Sequence, residues 1–142
     1  MIADSVIDSD TIQAYLETEY RVHAEPSFVL RIGQVSHELL AMHKASRVGS
    51  SAFITACNPF SQLRDEADNQ TRQRELAAEL ARRGLKFLQG IGQHPSTNWQ
   101  GEDSFLVLGL NLAAAKALGQ RLEQNALLWS GSDGIPQLIQ LR

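Results

Sequence analysis

The sequence predicts an α/β fold, with α+β as the alternative: a single layered domain over residues 1–142, built on a mixed sheet of about six to seven strands covered by four helices. Three observations carry this. Short apolar runs alternate with segments of helical periodicity along the chain. The run 51–57, "SAFITAC", is apolar at both Phe53 and Ile54, which point to opposite faces of a strand, so both sides of the sheet need cover. Finally, "SFVLRIG" from Ser27 is echoed by "SFLVLG" from Ser104. Each is followed by a helical segment and then an apolar strand, which reads either as a duplicated β-α-β unit or as two independent ones.

The elements follow in order. After a flexible start at 1–9, Ser9 or Asp10 caps a first helix over 10–19, with Ile12, Tyr15, Leu16 and Tyr20 at helical spacing. Segments 20–23 and 28–32 read as a hairpin around Glu25-Pro26. A helix over 35–46 groups Val35, Leu39, Leu40 and Met42 on one side. The strand 51–57 leads to the longest helix, 63–83, whose buried stripe is Leu76, Ala77, Leu80 and Ala81 and whose end is marked by Gly84. A strand at 87–91 opens into the polar stretch 92–103, "GQHPSTNWQGED", rich in turn formers and long enough to suggest a function. A strand at 105–108, a helix at 111–122 and a strand at 126–129 come next. The turn Gly131-Ser-Asp-Gly134 leads into a last strand, 137–141.

Composition excludes several function classes. A formal charge of −3 lacks the basic excess of a nucleic-acid binder. Arg72, Arg74, Arg82 and Arg83 are interleaved with Glu75 and Glu79, the pattern of a solvated helix face. No apolar segment approaches the roughly 20 residues that span a bilayer, so no membrane partner is expected. The acidic start "MIADSVIDSD" has no signal-peptide pattern, and the single cysteine, Cys57, suits a reducing compartment; the expected location is cytoplasmic. Cys57 lies on an apolar strand and reads as an inert core thiol rather than a nucleophile. No metal site is expected, because the histidines show no zinc spacing. Gly90-Ile-Gly92 is only a fragment of a dinucleotide fingerprint, and there is no P-loop, so no cofactor is implied.

The strand 51–57 runs into "NPFSQ", a cluster of hydrogen-bonding residues ahead of a charged helix. One helical step inward from Leu76 and Leu80 lie Gln73, Arg72 and Asn69, so the helix's inner face turns polar beside the strand end. A strand-to-helix junction offers unpaired backbone N–H groups and a partial positive charge. Asn58, Ser61, Asn69 and Arg72 are therefore candidates to bind an anionic or amide-bearing ligand. The structural alternative is an Asn58-Pro59 turn with Ser61 as a helix cap. The second candidate group is Trp99 and Glu102 with Asp103: a carboxylate beside an aromatic ring can have a raised pKa and act as a general acid or base. Glu102 is the natural ion-pair partner for Arg72 if the two meet.

The motifs "SAFITACNPFS", Asn69, Trp99 to Glu102 followed by "SFLVLGL", and "QNALLW" resemble, as a set, the bacterial family known as domain of unknown function 3293. The resemblance runs from about Tyr20 to Leu138. It implies a pattern of I-T-A-x-N-P with a downstream Asn and W-x-x-E before S-F, which falls here on Thr55, Asn58, Pro59, Asn69, Trp99, Glu102 and Ser104. The x position is Cys57 here and is more often aromatic in that pattern, which weakens a nucleophile role. The family brings no activity with it. The leading expectation is thus a small binding module for a polar or anionic ligand, or a protein segment. Its site would be formed by residues 58–72 and 99–102, with Thr55 and Ser61 contributing. The alternatives are a small hydrolase or transferase using Glu102, and a protein–protein or toxin/antitoxin-type element.

Overall fold

The computed structural model describes residues 6–96 and 101–142. Among them, α1 (Ser9–Glu17) precedes a hairpin of β1 (Glu19–Val22) and β2 (Phe28–Leu30), then α2 (His37–Ser46) and β3 (Ser51–Ile54). A 3-10 turn (Pro59–Ser61) and α3 (Glu66–Arg82) lead to a second hairpin of β4 (Phe87–Gln93) and β5 (Glu102–Leu108), then α4 (Leu112–Arg121), β6 (Ala126–Ser130) and β7 (Gln137–Gln140). The seven strands form one sheet in the order β2-β1-β4-β5-β3-β6-β7.

The fold class is α/β as expected, with four helices and one sheet, of which α2, α3 and α4 supply residues to the cores on its faces, but the sheet is not mixed. Every neighbouring pair is antiparallel. A β-α-β pattern suggests adjacent parallel strands; here β5-α4-β6 closes around β3, which slots between the two and runs against both. The echoed unit β2-α2-β3 likewise joins strands of the same direction, with β1, β4 and β5 between them. Both crossovers head toward the β7 edge, yet they leave strands that point opposite ways. Two crossovers of one hand must then lie on opposite faces of the sheet, and they do.

One face packs Ala52, Ile54, Phe105, Val107 and Leu127 against Leu76 and Leu80 of α3 and Ala115 and Leu118 of α4. The other packs Phe53, Leu106, Leu108 and Leu128 against Leu39 of α2, together with Val22, Phe28 and Leu30 of the edge hairpin. Phe53 and Ile54, expected on opposite faces, are both buried, one in each cluster. The sheet curls round α2 until its edges approach: Gly33 N–H donates to Pro136 O and Ser36 N–H to Gly134 O, both at 2.9 Å.

Local signals set most helix ends. Asp8, not Ser9 or Asp10, caps α1 through Thr11 N–H. Asp65 caps α3 through Asp68 N–H, so the helix starts after the expected 63 and Ser61 is no cap. Gly84 stands just past α3 at φ +71°, the left-handed turn the sequence pointed to. The polar stretch 92–103 is shorter as a loop than expected, because β4 runs to Gln93 and β5 begins at Glu102, paired with Gly92.

Candidate functional site

The strand β3 stops where side chains take over its hydrogen bonds. Thr55 Oγ1 donates to Asp103 O at 2.6 Å and accepts Cys57 N–H at 3.0 Å, which bends the chain out of the ladder. Ala56 N–H then donates to Gln73 Oε1 at 2.7 Å, and Ala56 O accepts from Arg72 Nε at 2.6 Å. Cys57 O accepts from Gln124 Nε2 at 3.0 Å. The backbone groups of Ala56 and Cys57, past the end of the ladder, are thus taken up by side chains, as buried backbone requires.

Asn58 is the centre of this clamp. Its N–H donates to Asn69 Oδ1, its Oδ1 accepts from Asn69 Nδ2 and Arg64 N–H, each at 2.9 Å, and its Nδ2 donates to Glu102 Oε2 at 2.8 Å. It sits at φ +48°, and Phe60 and Ser61 follow at +56° and +59°. Left-handed backbone at non-glycine residues costs roughly 1 kcal/mol or more each and persists only where surroundings enforce it. Here the enforcement is visible: Phe60 N–H donates to Glu123 O at 2.6 Å, while Ser61 Oγ lies 2.6 Å from Tyr15 OH and accepts from Asn125 Nδ2 at 3.0 Å.

Arg72 does not pair with Glu102, contrary to the sequence expectation. Its Nη2 donates to Leu122 O at 2.9 Å, at the C-terminal end of α4. A guanidinium suits that position because the last carbonyls of a helix lack intrahelical donors and carry partial negative charge. Glu102 has Asn58 as its partner instead. Burial pushes its carboxyl above the ordinary glutamate range, and the Asn58 hydrogen bond only partly offsets that. Cys57 is buried, and burial pushes its thiol up to about 11, the state of an unreactive thiol. Trp99 lies outside the described residues.

Beside this clamp is an open cavity of about 340 Å³ between α3 and the β4–β5 hairpin. The helix contributes Gln70, Gln73, Arg74 and Ala77, a stripe at i, i+3, i+4 and i+7; the sheet contributes Phe87, Gln89, Phe105 and Asp103, and His23 closes the far side. Gln73 and Asp103 belong to both structures, the first holding Ala56 N–H and the second receiving the Thr55 proton. Thr55, Asn58, Ser61, Asn69, Arg72 and Glu102 stand behind this wall and do not line the cavity. The sequence reading missed Gln70, Arg74, Gln89 and His23. Their signal was the helical stripe one position round from the core stripe, which an exposed-face reading of the arginines had absorbed.

The family model described as protein of unknown function (DUF3293) matches residues 54–127, just over half of the chain. The chain belongs to that family. The matched span contains the whole clamp from Thr55 to Gln124 and every cavity residue except His23. No curated protein and no solved structure matches the chain. Among the described residues no helix is long and apolar enough to cross a membrane, and no group of His, Cys, Asp and Glu is placed to hold a metal ion.

Proposed function

We propose that this family member is a small binding module that holds a polar ligand in the cavity between α3 and the β4–β5 hairpin. One observation carries the reading. The clamp residues satisfy one another, whereas the side chains of His23, Gln89 and Asp103, all lining the open cavity, are exposed to solvent and make no hydrogen bond within the described residues, so a ligand can take the place of water on them. Polar groups without internal partners, grouped in a concavity with an apolar floor, are what a small-molecule site presents. In this reading residues 58–72 and Glu102 serve the site from behind, by fixing Gln73 and the backbone of Asp103. The single buried cysteine supports a reducing, cytoplasmic setting.

A second reading, a hydrolase or transferase with Glu102 as general acid or base, draws on the raised pKa of that carboxyl. Glu102 does not line the cavity, and that favours the binding module.

A thermal-shift screen of polar metabolites tests the proposal. A ligand at a hundred times its Kd adds about 2.7 kcal/mol of stability, several degrees in a chain of this size. Arg74→Ala and Gln89→Ala should unfold at the wild-type temperature without ligand and lose the stabilisation. A screen without a stabilising compound, or stabilisation that survives in both variants, would overturn it.

A further inference from the structure

Resting on that reading, we infer that the ligand is a zwitterion of the amino-acid type, carrying an anionic acceptor group, an ammonium and a short apolar body. The cavity presents both signs of charge on separate elements. Arg74, on α3, has its Nη2 3.2 Å from Thr71 Oγ1, and no carboxylate pairs with it within the described residues. Asp103, on β5, uses its carbonyl to receive Thr55 Oγ1, while its carboxylate has no partner within the described residues.

Gln73 sharpens the acceptor side. Its Oε1 is held by Ala56 N–H at 2.7 Å, so the amide cannot turn round, and its Nε2 is the end left for the cavity. That nitrogen is not sealed away: among the described residues the one buried side-chain polar atom without a partner is His43 Nδ1. A fixed amide donor close to a guanidinium recognises a carboxylate or carbonyl; the carboxylate of Asp103, by the same logic, recognises an ammonium. A simple anion would gain at Arg74 and lose at Asp103, and a simple amine the reverse.

The floor supplies the third element. Phe87 and Phe105 meet edge to face with centroids 5.0 Å apart, beside Ala77. This surface accepts a short hydrocarbon chain or ring. A volume near 340 Å³ is at the lower end for small-molecule pockets, which suits a free amino acid or a dipeptide.

Isothermal titration of the full chain with free L-amino acids, their N-acetyl derivatives and their carboxamides tests the inference. At least one free amino acid should bind, with its N-acetyl form (no ammonium) and its amide (no carboxylate) at least about tenfold weaker, the loss of one charge-assisted contact. Asp103→Asn should abolish discrimination against the N-acetyl form, and Arg74→Gln discrimination against the amide. Derivatives that bind as well as the parent, or discrimination unchanged in both variants, would overturn the zwitterion. If none of these probes binds while another polar metabolite does, and Arg74→Ala removes it, the inference fails and the binding module stands. If nothing binds, both fail.

Discussion

Glu102 shows how much one residue's surroundings can change its chemistry. On a surface strand it would titrate as an ordinary carboxyl; here burial makes it keep its proton to higher pH, although the hydrogen bond from Asn58 Nδ2 favours the ionised form and offsets part of the shift. The folded protein therefore binds that proton more tightly than the unfolded chain does. Stability from this group is fully present below the unfolded pKa and falls as pH rises through the unfolded value to the folded one. Glu102→Gln keeps an acceptor for Asn58 and removes the titration. Thermal unfolding should show equal stability for the two proteins at the acid end, with the variant gaining on the wild type as pH rises through and above the ordinary glutamate value. A difference that does not change with pH would show that Glu102 titrates normally. The importance of Asn58, Asn69 and Glu102 was legible from their residue types beside an apolar strand. Their partners were not, because Arg72 could satisfy its donors on any carboxylate or carbonyl within reach, and only the fold brings Leu122 O there.

At the level of elements, α3 does three jobs with three neighbouring stripes. Leu76 and Leu80 fill the core, Asn69, Arg72 and Gln73 fasten the end of β3, and Gln70, Arg74 and Ala77 form the cavity wall. The first stripe is visible in the sequence as apolar periodicity. The other two are both polar and differ only in what the fold sets opposite them. On the facing strand, β4 depends on Gly90. A Cβ there would lie 2.5 Å from Arg21 O and 2.8 Å from Phe53 Cε2. The carbonyl belongs to β1 and cannot retreat without loosening the β1–β4 ladder, which pairs Val22 with Gly90. Gly90→Ala should therefore cost about 1–3 kcal/mol in urea unfolding. Gly92→Ala, whose Cβ would meet nothing closer than 3.5 Å, is the control and should stay within about 0.5 kcal/mol of wild type. Equal effects would show that the sheet gives way freely at Gly90.

Across the molecule, stability is distributed unevenly. Strands β3 and β5 lie inside the sheet with helices over both faces, and Ala52, Leu106 and Val107 are almost wholly buried. Helix α1 has no buried residue and is fastened by its cap, by Tyr15 OH beside Ser61, and by Tyr15 O, which accepts from Tyr20 OH. Local opening should follow that gradient. Native-state hydrogen exchange is expected to find the slowest amides at Ala52, Phe53, Leu106 and Val107, and α1 exchanging well before them. Protection in α1 equal to that in β5 would contradict the gradient.

The sequence by itself determined the succession of elements, the need to cover both faces of β3, the buried thiol of Cys57 and the polar identity of the strand end. These depend on local periodicity, turn chemistry and side-chain type, all of which a linear chain displays. The tertiary structure alone decided that β3 enters between β5 and β6, making every pairing antiparallel. It also decided that Arg72 serves carbonyls while Glu102 serves Asn58, and that the cavity lies on the next stripe of α3. Which partner a strand edge, a guanidinium or an amide finds depends on groups far apart in the chain, and many partners satisfy the same local rule. Packing both faces of one curled sheet selects among them.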